Sequence, residues 1–242
     1  MKITTHGEYL TQLTNWPLLF PVNVYLVRED DGLTLVDAGL GGMAPGILRA
    51  AQAFGAPIRR IVLTHAHADH VGSLDTLHAA LPEAEVLMSA RSARFLAGDR
   101  TLDEAEQVGK LRGGWKVAAT RPTWLIQPGE RVGSLEVVAA PGHSPDHSAL
   151  FDTRDRTLIA GDAFQTRAGI AVSGTIRPLF PFPALATWHK PTALDSARRL
   201  RALEPARLAV GHGPVLGEPL AAMDRAIVTA ERKLAGAVQH AG

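Results

Sequence analysis

Directly after the apolar run Ile61-Val62-Leu63-Thr64 the chain reads His65-Ala66-His67-Ala68-Asp69-His70, four candidate metal ligands within six residues. Imidazole nitrogens and carboxylate oxygens are donors that divalent zinc, iron and manganese accept. His65 and His67 are two residues apart, so on a tight loop at a strand end both rings can turn toward one point. Asp69 and His70 then fall at a helix start, where free backbone N–H groups steady a carboxylate. Ala66 and Ala68 leave room for that turn. A polar surface loop rich in histidine is the plain alternative, and the density of ligand types argues against it.

Further donors stand where other predicted strands end. Leu135–Ala139 runs into Pro141-Gly142-His143, Thr157–Ala160 into Gly161-Asp162, and Arg207–Val210 into Gly211-His212-Gly213. A glycine before each donor lets backbone approach a site closely. Taken singly these are residues that turns favour anyway. Added to the first cluster, they would bring ligands from several strand ends to one edge of the sheets.

The 10 histidines stand beside no cysteine, which excludes thiolate zinc sites, iron–sulfur clusters, disulfides and a cysteine nucleophile. Lys and Arg number 25 against 24 Asp and Glu, a net charge of +1, and such a balance supplies no field that draws in a polyanion. Nucleic acid is therefore not expected as a partner. Nor is a membrane, since no stretch approaches the roughly 18 uninterrupted apolar residues of a spanning helix. MKITTHGEYL lacks the apolar core of a secretory signal, so a cytoplasmic address is the expectation.

The elements that must hold the donors read as strands mixed with helices from end to end. Val22–Arg28 and Leu33–Asp37 are β-branched runs around an Asp-Gly pair, a hairpin signal. Met43–Phe54 repeats apolar residues at helical spacing and stops at Gly55; Ile58–Thr64 and Ala84–Met88 read as strands, and Leu74–Leu81 as a helix ended by Pro82. Ser89–Leu96 and Thr101–Leu111 read as helices. Ser148–Phe151 is a further strand, Thr192–Leu203 a helix, and a last helix ends the chain. Phe164–Lys190, with three prolines, reads as one long irregular loop of the kind that carries function. The mixture implies sheets covered by helices in one α/β domain spanning residues 1–242.

Together these motifs resemble the metallo-β-lactamase superfamily. The H-x-H-x-D-H cluster, PGHSPDH (Pro141–His147), GDAF (Gly161–Phe164) and GHG (Gly211–Gly213) match its motifs in order from about Val22 to Pro214, and Val36-Asp37-Ala38-Gly39 matches its upstream Asp-Gly turn. The resemblance implies a four-layer αββα sandwich with a binuclear site at one edge. Carried over by position, His65, His67 and His143 hold a first ion, Asp69, His70 and His212 a second, and Asp162 bridges them. Two divalent ions are implied, zinc first, with iron or manganese as alternatives at a mixed His/Asp site. Such ions, roughly 3.5–4 Å apart, lower the pKa of a bridging water, and the hydroxide attacks a carbonyl or phosphoryl centre that one ion polarises. Asp69 is also the candidate catalytic residue, orienting the water or passing a proton to the leaving group. Asp37 is expected to support the ligand loops by hydrogen bonding and His147 to stand behind the site. His6, His78, His189 and His240 match no motif and are expected at the surface or in packing.

Gly39-Leu40-Gly41-Gly42-Met43-Ala44 fits the G-x-G-x-x-A dinucleotide fingerprint, but Arg59 and Arg60 stand where its acid belongs and a hairpin precedes the strand. An arginine serves in NADP enzymes, so the fingerprint is disfavoured, and no nucleotide cofactor is expected. Within the superfamily, the absence of cysteine departs from one kind of β-lactamase and Asp162 from the other. The 30 residues after His212 are too few for the helical domain of glyoxalase II-like thioesterases. Lactonase-like enzymes carry a tyrosine where Phe164 and Gln165 stand, and the superfamily nucleases add modules that this length does not hold. Phe164–Trp188, with Arg167 and Arg177, and Trp16–Phe20 could wall a mixed apolar and anion-tolerant pocket; their alternative role is core or a homodimer contact. The expected function is a binuclear metal-dependent hydrolase of a small-molecule ester, lactone or thioester. A mononuclear iron persulfide dioxygenase or a phosphodiesterase of the same superfamily is the alternative.

Overall fold

In the computed structural model, which describes residues Met1–Gln239 and so leaves His240 outside, the chain begins with two strands that no apolar alternation marks. β1 (Lys2–His6) and β2 (Leu10–Asn15) pair antiparallel, Ile3 opposite Leu13. β1 is a largely exposed edge. β2 is buried although it carries Thr11, Gln12 and Thr14, because side-chain hydrogen bonds replace water: Thr14 Oγ1 donates to Asn23 Oδ1 at 2.9 Å.

β3 (Val22–Glu29) and β4 (Gly32–Val36) form the expected hairpin, and the register pairs Glu29 with Gly32, which puts the two-residue loop at Asp30–Asp31. α1 (Ala44–Phe54) is ended by Gly55 in the left-handed conformation. β5 (Ile58–Val62) then runs parallel to β4, Val62 beside Val36. Short helices α2 (Ala68–Val71) and α3 (Leu74–Ala80) lead to β6 (Glu85–Met88), parallel to β5, and α4 (Ala90–Leu96) starts where Ser89 accepts the Ser92 N–H. β7 (Trp124–Leu125) completes a seven-stranded sheet in the order β1 to β7. Its middle strands are buried on both faces: Leu26, Leu35, Ile61 and Val86 line one face and Tyr25, Val36, Val62 and Leu87 the other, and all are buried. These elements belong to one unit, Met1–Arg100 with Gly114–Val137. A hairpin of β8 (Arg131–Val132) and β9 (Leu135–Ala139) closes it, and the unit boundary falls inside β9.

The second unit comprises Thr101–Gly113 and the chain from Val138 on. β10 (Ser148–Asp152) pairs antiparallel with β11 (Thr157–Ile159). Phe164–Lys190 is not the single irregular loop expected. It contains a buried hairpin, β12 (Phe164–Gln165) with β13 (Ala171–Val172), and a turn of helix, α5 (Phe182–Leu185). Phe164, Phe180 and Trp188 are core, whereas Phe182 and Ile176 are exposed. α6 (Lys190–Ala202) precedes β14 (Arg207–Ala209), which is parallel to β11 and antiparallel to β15 (Leu216–Gly217). α7 (Leu220–Gln239) is tied to α6 by the ion pairs Arg198–Glu231 and Arg201–Asp224. Leu158, Leu208, Val210, Leu200, Met223 and Ile227 pack as the core of this unit.

Thr101–Leu111, expected as a helix, holds only a 3₁₀ turn at Glu104–Glu106. Its apolar residues have no face to bury, Val108 being 60% exposed, and a short helix without burial is marginal in water. Among the described residues no helix is long and apolar enough to cross a membrane.

Candidate metal centre

The first four predicted ligands lie just past the carboxyl end of β5, in the first unit. Leu63 N–H still bonds to Leu87 O at 3.0 Å; the chain then leaves the sheet, and His67 caps α2 in an extended conformation. His65, His67 and His70 are buried, and Asp69 is half-buried. Ligand atoms of His65 and His67, of His65 and His70, and of Asp69 and His70 lie within 4.8 Å of one another.

Ring protonation follows from the neighbours. Asp37 accepts the Thr64 backbone N–H on Oδ1 at 2.8 Å and the Thr64 hydroxyl on Oδ2 at 2.8 Å. The hydroxyl proton is thereby committed, so at 3.0 Å from His65 Nδ1 the Thr64 oxygen accepts an Nδ1–H. Asp37 Oδ2 also takes His70 Nδ1–H at 2.7 Å. In both rings Nε2 is left with its lone pair, the form that binds a cation. His65 Nε2 stands 3.2 Å from His67 Nδ1. Four donors about 2.0–2.1 Å from a tetrahedral zinc lie about 3.3–3.4 Å apart, so these two nitrogens have the spacing of ligands to one ion.

The G-x-G-x-x-A turn has a structural explanation here. Ala38 N–H donates to His70 O at 2.6 Å and Gly72 N–H to Gly39 O at 2.7 Å, so the turn rests against α2. A Cβ on Gly72 would lie 2.4 Å from Gly41 N. The glycine this backbone approach needs is Gly72, outside the motif. Within it, Gly39 sits at φ 64° with Met43 Sδ 2.5 Å from where a Cβ would lie, whereas a Cβ on Gly41 would meet nothing closer than 3.8 Å.

His143, Asp162 and His212 come together in the second unit. β11 and β14 are parallel neighbours, Ile159 beside Ala209, so Asp162 and His212, each three residues past its strand, emerge side by side; Gly211 N–H bonds to Gly161 O at 2.9 Å. The His143 turn is held against α6: Ser196 Oγ donates to Pro141 O at 2.5 Å, and at Gly142, φ 138°, a Cβ would lie 2.3 Å from the Ala193 backbone. His143 Nε2 and His212 Nε2 stand 3.3 and 3.2 Å from the same oxygen, Asp162 Oδ2. Charge-assisted N–H···O bonds run about 2.7–2.9 Å. The observed separations are long for that and match the edge of a coordination tetrahedron instead.

A relay orients His143. Thr187 Oγ1 donates to Pro183 O at 2.8 Å, leaving it to accept from Ser173 Oγ at 2.8 Å, and Ser173 in turn accepts His143 Nδ1–H at 2.9 Å. Nε2 is again the free donor atom. His147 accepts the Asp162 backbone N–H on Nε2 at 3.0 Å, a supporting contact. Phe180 lies 5.6 Å from the His212 ring, centroid to centroid.

Sequence reading missed Thr64, Ser173 and Thr187 as partners of ligands. It also missed Trp115, whose ring meets His67 edge-on at 4.5 Å. None sits in a motif, and Ser173 is thirty residues from His143. The donors as a set, neutral imidazoles and carboxylates with buried, tautomer-fixed rings, fit a divalent cation.

Comparison with known proteins agrees with this chemistry. Residues 18–212 match the family model of the metallo-beta-lactamase superfamily. YobT of Bacillus subtilis is 48% identical over 233 residues, covering 96% of this chain and all of that protein. "Probable metallo-hydrolase YflN" of Bacillus subtilis is 30% identical over 220 residues, 81% of this chain and 82% of its own. Among solved structures, TTHA1623 in a di-iron-bound form matches with a TM-score of 0.61 and 29% identity over 87% of this chain and 96% of that one. The metallo-β-lactamase DIM-1 matches in fold, with a TM-score of 0.72 at 16% identity over 96% of this chain and 97% of its own. The chain belongs to the metallo-β-lactamase superfamily and has its α/β fold.

Proposed function

We propose that the chain is a metal-dependent hydrolase in which both ligand sets serve one binuclear centre, with a small ester, lactone or thioester as substrate. His65, His67 and His143 would hold one ion, Asp69, His70 and His212 the other, and Asp162 would serve both. The observation that carries the reading is the repeated donor spacing of 3.2–3.3 Å at His65–His67, His143–Asp162 and His212–Asp162. When bound, the ions would supply hydroxide at neutral pH and polarise the carbonyl oxygen of the substrate.

The chain's own part is to keep this machinery fixed and dry. Asp37, Thr64 and the Ser173–Thr187 relay hold three imidazoles with Nε2 deprotonated, and six of the seven donors are buried, which strengthens every charge interaction among them. Asp69 is the half-buried exception. Its carboxylate can accept the proton released by the attacking water and return it to the leaving oxygen or sulfur. No serine or cysteine nucleophile is needed.

Metal content per chain, measured by elemental analysis on protein purified without added metal, tests the reading together with a panel of esters, lactones, thioesters and phosphodiesters. Close to two ions and metal-dependent ester, lactone or thioester turnover support it; phosphodiester cleavage alone would overturn the substrate class. The iron in the similar TTHA1623 structure favours one further reading, iron in place of zinc. A single iron with oxygen consumption on persulfide would replace the hydrolase by a dioxygenase.

A further inference from the structure

A cleft of about 390 Å³ opens in the second unit and is lined by none of the seven donors. Its volume falls within the range of about 300–1,000 Å³ typical of small-molecule sites. The walls divide by chemistry. Val108, Leu185, Trp188 and Leu234 are apolar, Lys110, Arg112 and Lys190 are cationic, and no Asp or Glu lines the cleft among the described residues. For a chain of net charge +1, that is a local concentration of cations. Lys110 and Lys190 have no hydrogen-bond or ion-pair partner among the described residues.

Two of these groups are held in place by close packing. Gly174 sits at φ 84°, and a Cβ there would be 2.6 Å from Lys190 Cγ, so the lysine stem lies along bare backbone. Gly109 packs on the Trp188 indole, where a Cβ would be 2.6 Å from Nε1, and that N–H donates to Glu106 O at 3.1 Å. An aromatic floor and a lysine stem packed at its base before a ligand arrives lower the ordering cost of binding.

We infer that this cleft binds an amphiphilic organic anion, a carboxylate on a short hydrocarbon chain. The basic side chains meet the carboxylate through charge-assisted hydrogen bonds, and Trp188, Leu185 and Leu234 cover the hydrocarbon. The cleft is also continuous with a ligand-bearing turn: Trp188 N–H donates to His143 O at 2.8 Å and His189 N–H to Gly142 O at 2.9 Å. The inference rests on the second unit alone and stands or falls independently of the hydrolase reading.

Octanoate is the probe, titrated by calorimetry into the full chain after chelator treatment, so that its carboxylate meets no metal. Saturable binding is expected, with octanamide, the neutral analogue, about tenfold weaker. Lys110→Glu with Lys190→Glu, both exposed positions, is expected to cost octanoate about the same factor at an unchanged unfolding temperature. Leu185→Glu, on the apolar wall, is expected to weaken octanoate too. Equal affinity for octanoate and octanamide, undiminished binding in the double variant, or association only with phosphatidylglycerol vesicles would each overturn it.

Discussion

Replacing Asp37 by Asn tests whether one carboxylate sets the protonation of a candidate metal ligand, His70. The substitution keeps side-chain volume and suits the backbone, because Asp37 sits at φ 63°, a conformation Asn adopts readily. What changes is the polarity of one atom. Oδ1 accepts the Thr64 N–H at 2.8 Å and Oδ2 accepts His70 Nδ1–H at 2.7 Å. An amide has one oxygen, so whichever way it turns, its NH₂ faces an N–H. Turned against His70, it drives the ring proton to Nε2 and removes the lone pair a metal needs. Turned against Thr64, it orphans a buried N–H at about 1–3 kcal/mol. Losing the partner of a ligating histidine typically costs about 10–100-fold in metal affinity, or about 1.4–2.7 kcal/mol. Zinc affinity by competition with a chromophoric chelator, and urea unfolding of the metal-free protein, read the two outcomes separately. A variant with wild-type affinity and wild-type stability would refute the reasoning, since no orientation of the amide satisfies both donors.

Ser173→Ala removes the acceptor of His143 Nδ1–H, and the same titration is expected to show metal binding weakened by about tenfold or more. His67→Ala and Asp162→Ala should each abolish turnover and lower metal per chain while circular dichroism stays unchanged; full activity in either would sink the ligand assignment. Gly142→Ala places a Cβ 2.3 Å from the Ala193 backbone at a φ that only glycine accepts easily, and urea unfolding should show a loss of more than about 1 kcal/mol. Burial pushes the Asp75 carboxyl up, but hydrogen bonds from the Thr120 hydroxyl and the Thr120 and Ala119 backbone N–H groups, with Lys116 nearby, outweigh it and hold the group below its ordinary 3.8. A carboxyl made more acidic by folding stabilises above its unfolded pKa and loses that contribution as pH falls through the folded value. The stability gap between wild type and Asp75→Ala should therefore be full at about pH 7 and close below about pH 4; a gap that widens in acid would contradict the hydrogen-bond account.

What the sequence by itself determined is the inventory of donors and the strand each one follows. Spacing along a chain is covalent, so H-x-H-x-D-H after Ile61–Thr64, Asp162 after Thr157–Ala160 and His212 after Arg207–Val210 could be read directly, the last two strands ending one residue earlier, at Ile159 and Ala209. The β3–β4 hairpin and α1 were legible too, because apolar periodicity and a glycine stop are local signals. Strands β1 and β2 were not: Thr and Gln in β2 are buried through hydrogen bonds to residues elsewhere, which no hydropathy pattern reports. Thr101–Leu111 shows helical spacing yet has no surface on which to spend it, and only tertiary packing decides that. The same holds within the site. Whether a histidine offers Nε2 or Nδ1 is set by what the other nitrogen touches, and for His70 and His143 those partners are Asp37 and Ser173, thirty or more residues away. A hydroxyl or a carboxylate is generic in sequence and becomes a proton-fixing contact only when the fold brings it within about 3 Å, so the candidate donors were readable from the chain and their protonation only from the structure.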